Sequence, residues 1–122
     1  MDYDPMTGPD PQAWLELDES ERMDAVQQHH REIGFEAGKL RGHAIIHAVV
    51  EAQLAEGLES AIAALQRLQE EGLDRHETVH SIGAVLSRHL FKASRGDAEF
   101  DRESYDRELA ALTAASWRAR GD

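Results

Sequence analysis

Two stretches of the sequence space histidines so that one helix could present them to a single metal ion. The first runs His43-Ala-Ile-Ile-His47-Ala-Val-Val-Glu51, and the second runs His76-Glu-Thr-Val-His80. Residues four apart lie one turn above one another on the same face of an α-helix. Each histidine pair could therefore chelate a metal through two imidazoles, and Glu51 adds an oxygen ligand one turn further along the first ridge. We predict His43, His47, Glu51, His76 and His80 as metal ligands.

The second stretch also matches the His-Glu-x-x-His pattern, in which two helical histidines bind zinc and the glutamate is a general base. Glu77 is thus the candidate catalytic residue. The same glutamate stands three residues after Asp74, which is the spacing of a capping box at a helix start. Both roles stay open, because one carboxylate can cap a helix and also act beside a metal.

A metal-free explanation competes with this site. His43 and His47 could be ordinary buried histidines that donate hydrogen bonds to carbonyl groups. However, burying two imidazoles and Glu51 on one apolar helix without mutual partners would cost several kcal/mol. A metal ion would satisfy all three groups at once, which favours metal binding over a metal-free polar network.

The remaining histidines are weaker candidates. His30 lies on the apolar stripe of its predicted helix, so an additional ligand role is left open. His29 points about 100° away from it and is predicted to lie at the surface. His89 is nine residues beyond His80, and we expect it to face solvent or to interact with the C-terminal end of the helix dipole.

Five helices are predicted to position these residues, at about 19–33, 39–56, 59–71, 74–93 and 101–118. The helix at 39–56 is apolar nearly all round, which is typical of a central, buried helix. Asp18 with Glu21 predicts a capping-box start for the first helix, and Gly57 predicts the end of the second. No segment shows the alternating pattern of a half-buried strand. The predicted fold is all-α, a small helical bundle with short connections.

The length of 122 residues suits one compact domain. We predict a single helical metal-binding domain over residues 18–118, preceded by an arm at 1–17 and followed by a tail at 119–122. Three prolines, at positions 5, 9 and 11, predict that the arm is a loop or turn-rich segment.

The charge balance excludes several classes of partner. Asp and Glu number 24 against 13 Lys and Arg, for a formal net charge of −11. Nucleic acids and anionic membranes both bind basic surfaces, so neither is expected as a partner. The first residues lack the basic and apolar regions of a signal peptide, and no apolar run could cross a bilayer, so a cytoplasmic location is expected. No protein partner can be identified, and a homodimer is left open.

The histidine pattern resembles a family of short bacterial helical proteins of unknown function. Those proteins share paired His-x3-His helices and a Glu-x-Gln-Leu run after the first pair, which here covers Glu51 to Leu54. The resemblance spans about residues 40–91. It implies that the same five histidine and glutamate positions form the site, and it implies no particular activity.

Three function classes remain: a metalloenzyme or metal-dependent redox protein, a structural protein stapled by zinc, and a metal-free interaction module with an acidic surface. The chain has no cysteine, so its ligands are nitrogen and oxygen, which favours zinc first and then iron or manganese. A ferritin-like di-iron site would need two Glu-x-x-His pairs and four carboxylates, whereas this pattern offers one pair and two carboxylates. Substrate, enzymatic activity and the number of ions stay open.

Overall fold

The computed structural model describes residues 2–32, 37–96 and 99–119, with no side chain described between residues 30 and 43. The predicted roles of His30 and His43 and the predicted helix end at Ile33 lie outside this description. Seven helices and no strand occur in the described residues, so the all-α fold class is confirmed. They are α1 Pro11–Glu16, α2 Glu19–Glu32, α3 Ala37–Ala55, α4 Glu59–Glu70, α5 Arg75–Ser94, α6 Arg102–Ala111 and α7 Ala114–Ala119. Within the described ranges, no helix is both long enough and apolar enough to span a membrane.

The chain divides into two compact units, Met1–Leu58 and Glu59–Asp122. Helices α1 to α3 make up the first unit, and α4 to α7 make up the second. The segment preceding residue 18 lies in the first unit, where α1 packs against α3.

Helix α1 corrects the prediction that the arm is only loop and turns. Asp10 caps the helix, because its carboxylate accepts a hydrogen bond from the Ala13 backbone N–H at 3.0 Å. Pro11 occupies the first helical position, where its fixed φ suits a helix and its missing N–H costs nothing. The short helix buries Trp14 completely.

Helices α2 and α3 pack against each other to complete the first unit. The predicted capping box at the start of α2 is present. The Glu21 N–H donates to the Asp18 carboxylate at 2.8 Å, and the Asp18 N–H donates to the Glu21 carboxylate at 3.1 Å. The apolar core joins α1, α2 and α3 through the buried residues Tyr3, Trp14, Ala25, Val26, Ala44 and Ala48.

Helix α3 ends as the sequence predicts. Gly57 has a φ of 83°, and the Leu58 N–H reaches back to the Gln53 carbonyl at 3.0 Å, which is the Schellman arrangement. The expectation that α3 is a central, buried helix is wrong at Ile45, whose side chain is exposed. The ridge of α3 that carries His47 is the one that lies buried.

In the second unit, α4 packs against α5 and α6, and α5 packs against α6. The buried apolar residues of this core are Ala61, Ala64, Leu68, Leu73, Val79, Ile82, Val85, Leu86, Tyr105, Leu109, Leu112, Ala114 and Trp117. The apolar pattern along α5 continues to Leu90 and Phe91, but both side chains are exposed, and Phe91 is 58% exposed. The buried face of α5 therefore ends before the last turn of the helix.

The predicted helix at 101–118 is two helices. Thr113 caps α7, since its side chain accepts from the Ser116 N–H at 2.9 Å and its own N–H donates to the Ser116 hydroxyl at 3.1 Å. Arg67 of α4 donates to the backbone carbonyls of Leu109 and Leu112, each at 2.8 Å. These carbonyls at the end of α6 thus find a side-chain donor, which stabilises the break.

Candidate metal centre

The first half of the candidate site is a buried pair on α3. His47 and Glu51 lie one helical turn apart, as predicted, and each is only 1% exposed. The Nε2 atom of His47 is inaccessible to solvent. An imidazole and a carboxylate are thus held side by side in an apolar core, where polar groups need hydrogen-bond partners or an ion.

Tyr3 supplies such a partner, and the sequence analysis missed it. The Tyr3 hydroxyl donates a hydrogen bond of 2.7 Å to Oε2 of Glu51. The hydroxyl oxygen of Tyr3 also lies 3.5 Å from Nδ1 of His47. The Tyr3 ring meets the His47 ring edge-on, with an interplanar angle of 88°. Tyr3 therefore contacts both polar residues of the ridge through one oxygen atom.

The apolar surroundings of Tyr3 hold its ring in this position. Its centroid lies 5.6 Å from that of Trp14 and 5.9 Å from that of His29, whose ring stands at 86° to it. His29 was predicted to lie at the surface, but it is half-buried and lies against Tyr3. The only hint in the sequence was two aromatic residues in a segment otherwise rich in proline and acids.

The second half of the candidate site is the histidine pair on α5. His76 lies in the first turn of the helix and His80 lies one turn later. Their ring centroids are 4.9 Å apart at an interplanar angle of 87°. Both residues are half-buried, and the Nε2 atom of each is inaccessible to solvent. The predicted spacing therefore brings two imidazoles together on one face.

The start of α5 fixes the position of this pair. The Glu77 N–H donates to the Asp74 carboxylate at 2.7 Å, and the Asp74 N–H donates to the Glu77 carboxylate at 3.5 Å. The Thr78 hydroxyl also donates to the Asp74 carbonyl at 2.8 Å. The capping role of Glu77 is thus confirmed, and its exposed carboxylate faces the helix start. Its catalytic role stays a prediction.

His89 does not face solvent, which corrects the sequence-based expectation. It is 8% exposed, and its Nε2 lies 3.0 Å from a carboxylate oxygen of Glu108 on α6. Its ring also meets those of Phe100 and Tyr105 at centroid distances of 6.1 Å and 5.9 Å. His89 thus belongs to the core of the second unit, because α6 packs on that face of α5.

The carboxylate of Glu108 is also bound by Arg88 at 3.0 Å. Partial burial alone would raise the pKa of Glu108. The hydrogen bond from Arg88 and the positive charges of His89 and Arg88 outweigh that effect and hold the pKa below its ordinary value. These contacts account for the burial of His89 without a metal ion, so His89 is not counted among the candidate ligands.

Among the candidate ligands, three nitrogen donors are described in detail: the Nε2 atoms of His47, His76 and His80. Imidazole nitrogen suits zinc, copper, iron and nickel, and no thiolate is available in this chain. Glu51 adds a carboxylate whose Oε2 accepts from Tyr3. Comparison with protein-family models, with curated proteins and with solved structures gave no match for this chain.

Proposed function

We propose that this protein binds one transition-metal ion through the Nε2 atoms of His47, His76 and His80. Zinc is the first choice, followed by iron or manganese, because the donors are nitrogen-rich and contain no sulfur. The observation that carries the proposal is the burial of three imidazole Nε2 atoms, two of them side by side on one helix.

The pair on α5 has the dimensions of a chelate. Zinc binds imidazole nitrogen at about 2.0 Å, so a tetrahedral ion held by two imidazoles would set the ring centroids roughly 5 Å apart. The centroids of His76 and His80 are 4.9 Å apart. The spacing of the two rings is therefore compatible with an ion held by both.

Two histidines do not complete a zinc site, which takes at least three protein ligands. We assign the third position to His47, whose Nε2 is buried as the other two are. His89 is excluded from this role, since its Nε2 is hydrogen-bonded to the carboxylate of Glu108.

Three protein ligands and one open position are typical of catalytic zinc, whereas structural zinc has four protein ligands. The proposal therefore favours an ion that can bind water or substrate. We place Glu51 beside the three ligands rather than among them, as the acceptor that holds Tyr3, because its Oε2 accepts a hydrogen bond from the Tyr3 hydroxyl. His43 decides between the two classes, since a fourth imidazole would close the site.

Metal analysis of the purified chain, followed by titration with zinc and with cobalt(II), tests the proposal. We expect one equivalent of either metal, and a cobalt(II) spectrum typical of tetrahedral coordination. His47→Ala and His80→Ala should each lose the bound ion. His43→Ala should keep one equivalent if the open site is correct, and should lose affinity strongly if His43 closes the site.

His89→Ala is the matched control. His89 is a buried histidine on the same helix as His80, so its loss perturbs the core without removing a proposed ligand. The variant should keep one equivalent of metal despite lower stability. If wild type binds neither zinc nor cobalt(II), or if His89→Ala loses the ion while His47→Ala keeps it, the proposal is wrong.

The alternative is a metal-free polar network, favoured by the hydrogen bond that Tyr3 already gives to Glu51. In that case the acidic chain would act as an interaction module for a basic partner. Purification without any metal, and an unchanged melting temperature on adding zinc, iron or manganese, would support this alternative.

A further inference from the structure

We propose that Tyr3 is a positioning residue that selects the tautomer of His47, with the proton on Nδ1 and the lone pair on Nε2. The inference deepens the proposed function, because a metal binds imidazole only through a nitrogen that carries a lone pair. The tautomer of His47 depends on three side chains within the first unit and requires no bound ion.

The first step is the location of the tyrosine proton. Tyr3 has a single hydroxyl hydrogen, and the Glu51 oxygen is 2.7 Å away while the His47 nitrogen is 3.5 Å away. A hydrogen bond to a carboxylate is shorter and stronger than one to a neutral acceptor. The proton therefore points at Glu51, which is itself almost completely buried.

The second step follows from what is left on the tyrosine oxygen. With its proton directed at Glu51, this oxygen presents a lone pair to Nδ1 of His47. A nitrogen lone pair at that place would be repelled, whereas an N–H would be attracted. The neutral ring of His47 thus carries its hydrogen on Nδ1, and the buried Nε2 carries the lone pair.

The third step concerns why Tyr3 can impose this choice. Its ring is packed against Trp14 and lies edge-on to His29 and His47, so its oxygen is held by contacts that do not depend on the hydroxyl. Hydrogen-bonding partners of this kind set the ring orientation and the free nitrogen of metal-binding histidines. Tyr3→Phe would keep the ring packing and remove only the oxygen.

Nitrogen-15 NMR of histidine-labelled, metal-free protein tests the inference at a pH where the imidazoles are neutral. The wild type should show His47 with a protonated Nδ1 and an unprotonated Nε2. In Tyr3→Phe the resonances should move toward the opposite tautomer, which free imidazole side chains prefer in water. His29→Phe is the matched control, because it keeps an aromatic ring against Tyr3 and leaves the hydroxyl in place, so the wild-type tautomer should persist.

Zinc titration of the same proteins gives the second measurement. We expect Tyr3→Phe to bind zinc about 10- to 100-fold more weakly than wild type, as is usual when a partner of a ligating histidine is removed. An Nε2-protonated His47 in the wild type would overturn the inference, and so would an unchanged tautomer in folded Tyr3→Phe. If Tyr3→Phe does not fold, the wild-type spectrum alone tests the inference, because it shows which nitrogen of His47 carries the hydrogen.

The two proposals fail separately. The expected tautomer in a protein that binds no zinc would refute the proposed function and support the assignment of Tyr3. Normal zinc binding by a Tyr3→Phe protein whose His47 tautomer is unchanged would do the reverse.

Discussion

Replacement of His89 by alanine should destabilise the second unit strongly, although the neighbouring Arg88 binds the same carboxylate. His89 is buried between α5 and α6, where it contacts Glu108 and the rings of Phe100 and Tyr105. Arg88 reaches Glu108 from the surface. The two residues are adjacent on one helix and share an acceptor, so comparing their alanine variants isolates the effect of burial.

The expected magnitudes follow from exposure. The side chain of Glu108 is 40% exposed, so the hydrogen bond from His89 contributes about 1 kcal/mol. Each of the two edge-on ring contacts adds about 0.5–1.5 kcal/mol. His89→Ala should therefore lower the free energy of unfolding by about 2–4 kcal/mol. In the Arg88–Glu108 pair both side chains are about 40% exposed, so Arg88→Ala should cost at most about 1 kcal/mol.

Urea denaturation followed by tryptophan fluorescence measures both changes. The chain has two tryptophans, Trp14 in the first unit and Trp117 in the second. In a Trp14→Phe background, the signal of Trp117 reports the unit that contains His89. These expectations are wrong if the free energy of unfolding of His89→Ala lies within about 0.5 kcal/mol of that of its parent, which is the usual effect of a surface substitution. They are equally wrong if Arg88→Ala costs as much as His89→Ala.

Further substitutions and the addition of zinc should also change stability by measurable amounts. The pKa of Glu108 is held below its ordinary value of 4.5, so its stabilising effect is complete above that pH and is lost as the pH falls through the lower, folded-state pKa. Glu108→Gln should therefore flatten the acid side of the melting temperature plotted against pH, whereas a curve parallel to wild type would contradict this. Asp74→Ala should cost about 1 kcal/mol in urea denaturation through loss of the α5 cap, while Glu77→Gln should keep stability, because glutamine can still cap. Arg67→Met should cost about 2 kcal/mol by the same assay, because two carbonyls at the end of α6 lose a charged donor. Zinc at 100 times its dissociation constant should stabilise the protein by about 2.7 kcal/mol, to be checked by thermal melts with and without chelator.

Features set by neighbouring residues could be predicted from the sequence. The capping boxes at Asp18 and Asp74 and the glycine stop at Gly57 depend only on residues within one helical turn, and all three are confirmed. The same holds for the pairing of His76 with His80, since a helix alone fixes the distance between them.

Features set by tertiary packing could not be predicted in this way. The burial of His89 depends on α6, which begins thirteen residues later in the chain. The break before α7 has a local signal in Thr113 and Ser116, but the Arg67 side chain that binds the end of α6 comes from a distant helix. Phe91 continues the apolar pattern of α5 and is nevertheless exposed, because apolar spacing does not show which part of a helix its neighbours will cover.

In the candidate site, too, local spacing could be predicted from the sequence and distant contacts could not. The ridge positions of His47 and Glu51 follow from their spacing, and both are buried as expected. Tyr3 could not be found by spacing, because it is 44 and 48 residues away from its two partners. The assignment of His47, His76 and His80 to one ion stays a prediction for the metal titrations.

The long separation between Tyr3 and Glu51 also has a consequence for the first unit as the chain is synthesised. Tyr3 leaves the ribosome early, whereas Glu51, whose carboxylate accepts the hydrogen bond from Tyr3, is made 48 residues later. Closing a loop of that length costs about 3 kcal/mol of chain entropy before any contact is gained. The hydrogen bond from Tyr3 to Glu51 can thus form only when the beginning of the chain has returned to α3. A chain that ended before residue 51 would contain Tyr3 and Trp14 but would lack the carboxylate that the hydroxyl binds.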